Sequence, residues 1–363
     1  KKKKKRKGFF GFTARALMLF AAGLLFFTYL SMIVDPVKAW FMTPVGLLFI
    51  PAVLLNLFLL LWSIRRLSKA GLIPLVALLP SLFFIGRYVQ LSGPDANEND
   101  KENAVKIVTY NVGKFIANNM GMDIPTCEDS AEAYLRSLDA DIICLQEYRI
   151  PAGNDVKKYL KKRFPGYYAS YHVFTGAIYT FGNITLTKYP IKGEKAMDFE
   201  SANVAVYTDL DINGERLRIY NCHFESYGLR PHIILSDIFH RREEEVREAE
   251  DKVKKSISKR SSQVEVVMDD IENCPTEAIV IGDFNDNPLS YTYHRLSKGK
   301  KDSFIEAGKG FGASYTMLWP FVRIDYVLYP KSLKAISHRM DKVHYSDHYP
   351  VITEIKIPAE NNN

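Results

Sequence analysis

The 363-residue chain carries 48 Lys and Arg against 41 Asp and Glu, but the +7 excess is unevenly placed: residues 1–90 hold 13 basic residues and one acid, Asp35, leaving 35 basic and 40 acidic residues beyond. The later part is therefore mildly acidic, which excludes the clustered cationic footprint of a duplex-binding domain. Four cysteines, Cys127, Cys144, Cys222 and Cys274, show no C-x-x-C spacing and so argue against a zinc cage.

The opening KKKKKRK leads into an uncharged apolar run over 16–34, about the length that crosses a ~30 Å hydrocarbon core. A second run spans 40–62 with Trp40 and Trp62 at its ends, where interfacial belts place tryptophan. Its presence argues against a cleaved signal peptide. A third, 71–89, contains Pro74 and Pro80 and reads either as a crossing or as a re-entrant or interfacial helix. Basic residues mark the cytoplasmic ends, namely the start and the Arg65–Arg66–Lys69 loop. Three predicted transmembrane helices make this a multi-pass integral membrane protein with everything after residue 90 on the non-cytoplasmic side; without the third crossing the body is cytoplasmic.

Residues 91–103 are polar and turn-rich and read as a linker to a body over 104–357, with 358–363 a tail. In the body, short β-rich runs alternate with helical stretches. VKIVTY ends at Asn111, helix periodicity covers 130–138, DIICLQ ends at Glu147, and a second helix covers 155–164. Residues 168–191 alternate as strands, and VAVYTDLDINGERLRIYNCHF is a hairpin with Asn213-Gly214 at its turn. Cys144 and Cys222 fall inside apolar strands as small core residues; Cys127 and Cys274 lie outside them, and whether they pair is open. Residues 226–272 form a long, mostly helical insertion whose middle has 8 basic and 6 acidic residues, either a solvated helix laced with i,i+4 pairs or a lid.

The chemistry centres on EAIVIGDFNDNPLS, residues 277–290. Ala278–Ile281 read as a doubly buried strand, and Asp283 and Asn285 follow at its carboxyl end, where open α/β sheets place their sites. Gly-Asp-x-Asn alone could be an ordinary turn. The same grammar recurs, however, at Asn111, Glu147, His223, Asp325 and the Asp347-His348 pair, each at the edge of an apolar run. Oxygen donors of this kind suit Mg²⁺ or Mn²⁺ better than zinc. A hard cation beside an acid/base His and a water-activating Asp is equipment for phosphoester hydrolysis.

In order, TYNV, LQE, GNITLTKYPI, NCHFES, GDFND, RIDYV and SDHYPV resemble the endonuclease/exonuclease/phosphatase superfamily, over roughly 105–357. The resemblance implies a four-layer α/β/β/α sandwich of two mostly antiparallel sheets and a Mg²⁺-dependent phosphoesterase. It implies that Asn111 and Glu147 hold the metal with Asp347 near it, and that Asp283 activates the attacking water. It further implies that Asn285 orients the phosphate, that His348 is the acid/base partner with Asp325 fixing its tautomer, and that His223 donates to the phosphoryl oxygens. Tyr171 and His172 are left outside this set. Where abasic-site nucleases of the family carry an Asp two residues after the first Asn, this chain has Gly113, which argues against a repair nuclease.

A tethered, mildly acidic body has little to attract a polyanion, and tethering raises the effective concentration of lipid head groups. The expected substrate is a lipid or envelope phosphodiester, met at the bilayer with no protein partner. Nucleic acid is the alternative substrate, and a catalytically inactive membrane-bound binding module the alternative function.

Overall fold

The computed structural model describes residues 2–93, 104–116, 121–199, 201–227 and 243–357. The expected linker beyond Gly93, the first part of the insertion (228–242) and the tail lie outside them. The amino-terminal region contains α1 (Lys2–Leu30), α2 (Met42–Gly46), α3 (Phe49–Arg65) and α4 (Leu72–Leu78), the last followed by 3-10 turns at Leu79–Phe83 and Ile85–Arg87. Among the described residues one helical stretch, Gly11–Leu30, is long and apolar enough to cross a membrane.

The other two apolar runs are not the continuous helices expected. The run over 40–62 is divided at Leu47–Leu48. Pro51 has no N–H to offer Leu47 and its ring crowds that carbonyl, so α3 starts just ahead of it. In the run over 71–89, Pro80 limits α4 to 7 residues and the chain continues in 3-10 form.

These pieces nevertheless pack against one another in two clusters. In one, Met18, Ala21 and Leu59 pack with Ala70 and Ile73, and Asn56 Nδ2 donates to the Ala21 carbonyl at 2.8 Å. In the other, Leu25, Met32, Phe49 and Tyr88 pack around Leu289 of the body. Ser31 Oγ, one residue past α1, donates to the Leu289 carbonyl at 2.6 Å, and Arg87 donates to that of Pro288 at 2.8 Å. β1 (Val89–Gln90) completes this seam by pairing with β11 (Gly310–Phe311).

The body holds two six-stranded sheets. One runs in the order β13 (Lys334–Met340), β14 (Val351–Lys356), β2 (Ala104–Asn111), β3 (Ile142–Pro151), β5 (Tyr179–Thr187), β4 (Tyr168–Thr175). The other runs β10 (Lys300–Asp302), β12 (Asp325–Pro330), β9 (Glu277–Asp283), β8 (Glu215–His223), β7 (Val204–Ile212), β6 (Ile191–Asp198). Each contains one parallel pair, β2–β3 and β8–β9, made by the crossover helices α5 (Ile124–Ser137) and α7 (Glu243–Glu272). Among the described residues α6 (Val156–Arg163), α8 (Tyr291–Leu296) and α9 (Ser303–Ala307) complete the α-helices.

Side-chain alternation builds the layers. Ile279 and Ile281 join Ile107, Ile142 and Cys144 in the core between the sheets, while Ala278 and Val280 turn outward against Val264 and Val267 of α7. Across the first sheet, Val108, Tyr110 and Ile143 face Ala131 and Leu135 of α5 and Leu160 of α6. This α/β/β/α layering is the one expected. So is the Asn213-Gly214 hairpin, where φ is +55° and +95°. All four cysteines are free, so Cys127 and Cys274 are not paired.

Candidate active site

Register delivers three of the expected residues to a single rung. His223 at the end of β8 is the partner of Asp283 at the end of β9, and Asp283 is the partner of Asp325 at the start of β12. On the facing sheet Asn111 ends β2, and its Nδ2 donates to Asp283 Oδ2 at 2.9 Å, joining the two sheets. Behind this junction a buried amide network holds the sheets in place: Gln146 Nε2 donates to Asn221 Oδ1 at 2.7 Å, and Asn183 Nδ2 donates to the Asn221 carbonyl at 3.1 Å.

Glu147 departs from the expectation that its strand ends there. β3 continues to Pro151, and Glu147 lies on a bulge between Leu145 and Tyr148 with φ +52°. The extra residue is unpaired with β5, which frees the carboxylate to face the cavity. Its Oε1 is 3.6 Å from His223 Nε2 and its Oε2 is 3.3 Å from Lys114 Nζ. Burial opposes the charge, but His223 and Lys114 outweigh it and hold this carboxyl below the usual range.

His348 Nδ1 lies 2.9 Å from Asp325 Oδ2, and His348 Nε2 lies 3.8 Å from Asp283 Oδ2. Burial alone would lower the pKa of this imidazole; Asp325 and Asp283 override it and raise the value to about 10, so the ring is held as a proton donor. Asp283 is pushed up to about 6, chiefly by burial and further by Asp325, against the pull of His348, His223 and Asn111.

Asn285, at φ +52°, donates its backbone N–H to Asp283 Oδ1 at 2.8 Å. Its side-chain amide donates to the Phe224 carbonyl at 2.9 Å and to Asp283 Oδ2 at 3.2 Å. Both amide hydrogens thus go to protein acceptors and clamp Asp283. Asp347 lines the cavity, its Oδ1 accepting from Ser346 Oγ at 3.3 Å. Tyr171 and His172, on β4, do not line it.

Asn111, Glu147, His223, Asp283, Asn285, Asp347 and His348 thus share the rim of one cavity of about 640 Å³, with Asp325 behind His348. The donor set fits a hard divalent cation: two carboxylates, Glu147 and Asp347, and Asn111 Oδ1, which accepts one bond, from Gly113 N–H at 3.0 Å, and has a second lone pair. Asp283, Asp325 and His348 also have ligand atoms within 4.8 Å of one another, and within that trio His348 Nδ1 and Asp325 Oδ2 are already paired with each other at 2.9 Å.

Several contributors had no sequence signal. Arg260 on α7 is buried, donates to the Glu225 and Asn285 carbonyls at 2.8 and 2.9 Å, and lies 3.3 Å from Asp286. Tyr315 pairs with His348, its ring centroid 5.4 Å away, and burial raises its pKa to about 12. Asn287 gives its Oδ1 to the Leu289 N–H and Tyr88 O–H, while its buried Nδ2 has no partner among the described residues. Pro44 and Leu47 of the amino-terminal region belong to the same lining. Arg260→Met is expected to lose about 3–5 kcal/mol of stability, because it strands the Asp286 carboxylate and two carbonyls in the interior. A thermal melt measures it, and a variant melting with the wild type would show that Asp286 does not depend on this partner.

Comparison with known proteins bears on the body and on the amino-terminal region separately. Residues 108–348 match the endonuclease/exonuclease/phosphatase family, and residues 9–88 match a domain family of unknown function. No curated protein matches the chain. Similar solved structures include an endonuclease/exonuclease/phosphatase from Beutenbergia cavernae at 16% identity, covering 70% of this chain and 72% of that one with a TM-score of 0.52. D. rerio TDP2 complexed with single strand DNA product is 19% identical, with 70% and 99% covered and a TM-score of 0.50. The human nocturnin catalytic domain with bound sulfate is 14% identical, with 70% and 94% covered and a TM-score of 0.50. At such identities the likeness speaks to the fold.

Proposed function

Because the chain belongs to the endonuclease/exonuclease/phosphatase family, whose members are typically phosphoester hydrolases using divalent metals, we propose that it is a membrane-anchored, Mg²⁺- or Mn²⁺-dependent phosphodiesterase acting on a lipid or envelope phosphodiester. The observation that carries the reading is the single cavity onto which Asn111, Glu147, His223, Asp283 and His348 converge from two sheets. A cation held by Asn111 and Glu147, with Asp347 beside it, would offset charge on the phosphoryl oxygens.

The remaining steps fall to side chains. Asp283, clamped by Asn111 and Asn285, orients a water and takes its proton as the water oxygen attacks phosphorus. His223 donates to a phosphoryl oxygen as charge accumulates there. The imidazolium of His348, held by Asp325, gives its proton to the departing oxygen as the ester bond breaks. Asn285 acts through Asp283 as a positioning residue.

Support for the anchor comes from α1 and its packing. The body docks at the carboxyl end of α1 through Ser31, opposite the heptabasic start, an arrangement that under the positive-inside rule supports a non-cytoplasmic body. The mildly acidic body favours a lipid over nucleic acid. The test is turnover by the full chain in detergent micelles, with Mg²⁺, Mn²⁺ or EDTA, of bis-p-nitrophenyl phosphate, phospholipid and a single-stranded oligonucleotide. Metal-dependent cleavage of the first two is expected. Cleavage of the oligonucleotide with phospholipid untouched would reassign the substrate, and inertness toward all three would leave a binding module.

A further inference from the structure

We propose that the loop joining α2 to α3 is the substrate-selecting wall of the catalytic cavity, taking the acyl chains of a phospholipid drawn from the bilayer that holds α1. The inference rests on the hydrolase reading above and adds to it the element that recognises the substrate. Pro44 and Leu47 line the same cavity as Glu147, Asp283 and His348, and Leu318, Val322 and Ile324 supply further apolar lining. A cavity with ionic groups at one part of its wall and aliphatic groups at another matches a molecule with a phosphate head and an apolar body.

The wall is fixed to the catalytic loop. A Cβ added at Gly46 would lie 2.7 Å from Ser31 Oγ and 2.9 Å from the Leu289 carbonyl oxygen, so only glycine lets the α2 end sit this close to residues 287–289. Ser31 follows the last residue of α1 and bonds to Leu289 directly, which puts the cavity within about one helical turn of the end of the apolar helix. Phosphates of a bilayer lie at that level relative to a spanning helix.

The chain on either side of two lining residues, Leu318 and Leu47, is dressed for the same surface. Met317, Leu318, Trp319 and Phe321 are 56%, 42%, 42% and 50% exposed, four large apolar side chains within five consecutive positions. On the anchor side Phe41, Leu47 and Leu48 are 54%, 40% and 42% exposed. Lys342 Nζ lies 4.5 Å from the Trp319 ring, the cation-beside-tryptophan pairing that membrane interfaces favour. Solvent-exposed apolar groups adjoining Leu318 and Leu47, which line one cavity from different segments, mark a surface meant to be covered, and its continuity with α1 identifies the cover as lipid.

The test compares two substrates on the full chain with Mg²⁺: dioleoyl phosphatidylcholine and phosphatidylglycerol in mixed vesicles, and soluble bis-p-nitrophenyl phosphate, which reports the catalytic groups without an acyl chain. Leu47→Asp, at an exposed position where folding is not at stake, is expected to lower the ratio of phospholipid to soluble-ester turnover by about tenfold. Ile178→Asp, 75% exposed on the β4–β5 turn and outside the cavity, is the control and keeps the wild-type ratio. An unchanged ratio in Leu47→Asp, or wild-type protein that cleaves the soluble ester or an oligonucleotide but neither phospholipid, overturns the inference while the hydrolase stands. Inertness toward every phosphoester removes both, and the soluble ester tells these cases apart.

Discussion

Asp283→Asn is expected to lower kcat on bis-p-nitrophenyl phosphate by about 10³-fold, the scale of a lost general base, with the thermal midpoint close to that of the wild type. Two opposing effects set the stability. The carboxyl is buried and its pKa raised to about 6, chiefly by burial, so the fold favours its neutral form and the ionised group weakens the fold as pH rises past the ordinary carboxylate range. A neutral amide removes that penalty. It also turns one acceptor oxygen into a donor facing Asn111 and Asn285 N–H groups, which costs a hydrogen bond of about 1 kcal/mol. The chemistry has no such offset, since an amide cannot accept the water proton. Asp325→Asn and His348→Gln should lose activity together, the double variant costing little more than either single one, because the two act as one hydrogen-bonded unit at 2.9 Å. Full activity in Asp283→Asn would refute the proposed base outright.

The layers were legible strand by strand: the alternation of Val204–Ile212 in β7 announces which residues face which side, and the unbroken apolar run Ala278–Ile281 in β9 announces a strand covered on both faces. The chemical residues were legible because carboxylates, amides and imidazoles at the edge of apolar runs have few structural uses. What could not be read was register between distant strands. Nothing in the local sequence says that His223, Asp283 and Asp325 share a rung, since pairing across 60 and 42 positions is settled by the whole sheet. Glu147 looked like a strand end, because a bulge has no compositional signature here. Arg260 was invisible for the opposite reason: it lies in a segment dense in Lys, Arg and Glu that reads as solvated, and only the packing of α7 shows it to be buried beside Asp286. Hydropathy found the apolar runs but counted composition, not continuity, so Pro51 and Pro80 divided what it had joined.

Gly282→Ala is expected to cost about 3 kcal/mol or prevent folding, the sum of backbone strain and overpacking in a core. In the sequence Gly282 opens a Gly-Asp-x-Asn stretch that could be an ordinary turn. The structure gives it a different task. It lies within β9 at φ +130°, paired with Cys222 on one side and Tyr326 on the other. An added Cβ would stand 2.1 Å from the Cys222 carbonyl oxygen and 3.0 Å from its backbone carbon and nitrogen. Those atoms belong to a central strand and cannot rotate away, unlike Ser31 Oγ, the nearest obstacle at Gly46. Relief would require β8 and β9 to part at the rung that also carries His223 and Asp283, so any folded fraction should lose activity more steeply than stability. Thermal melts and turnover of the purified variant measure both. If Gly282→Ala melted with the wild type, β8 and β9 could not be as close as the register requires, and the shared rung on which the site is built would fall with them.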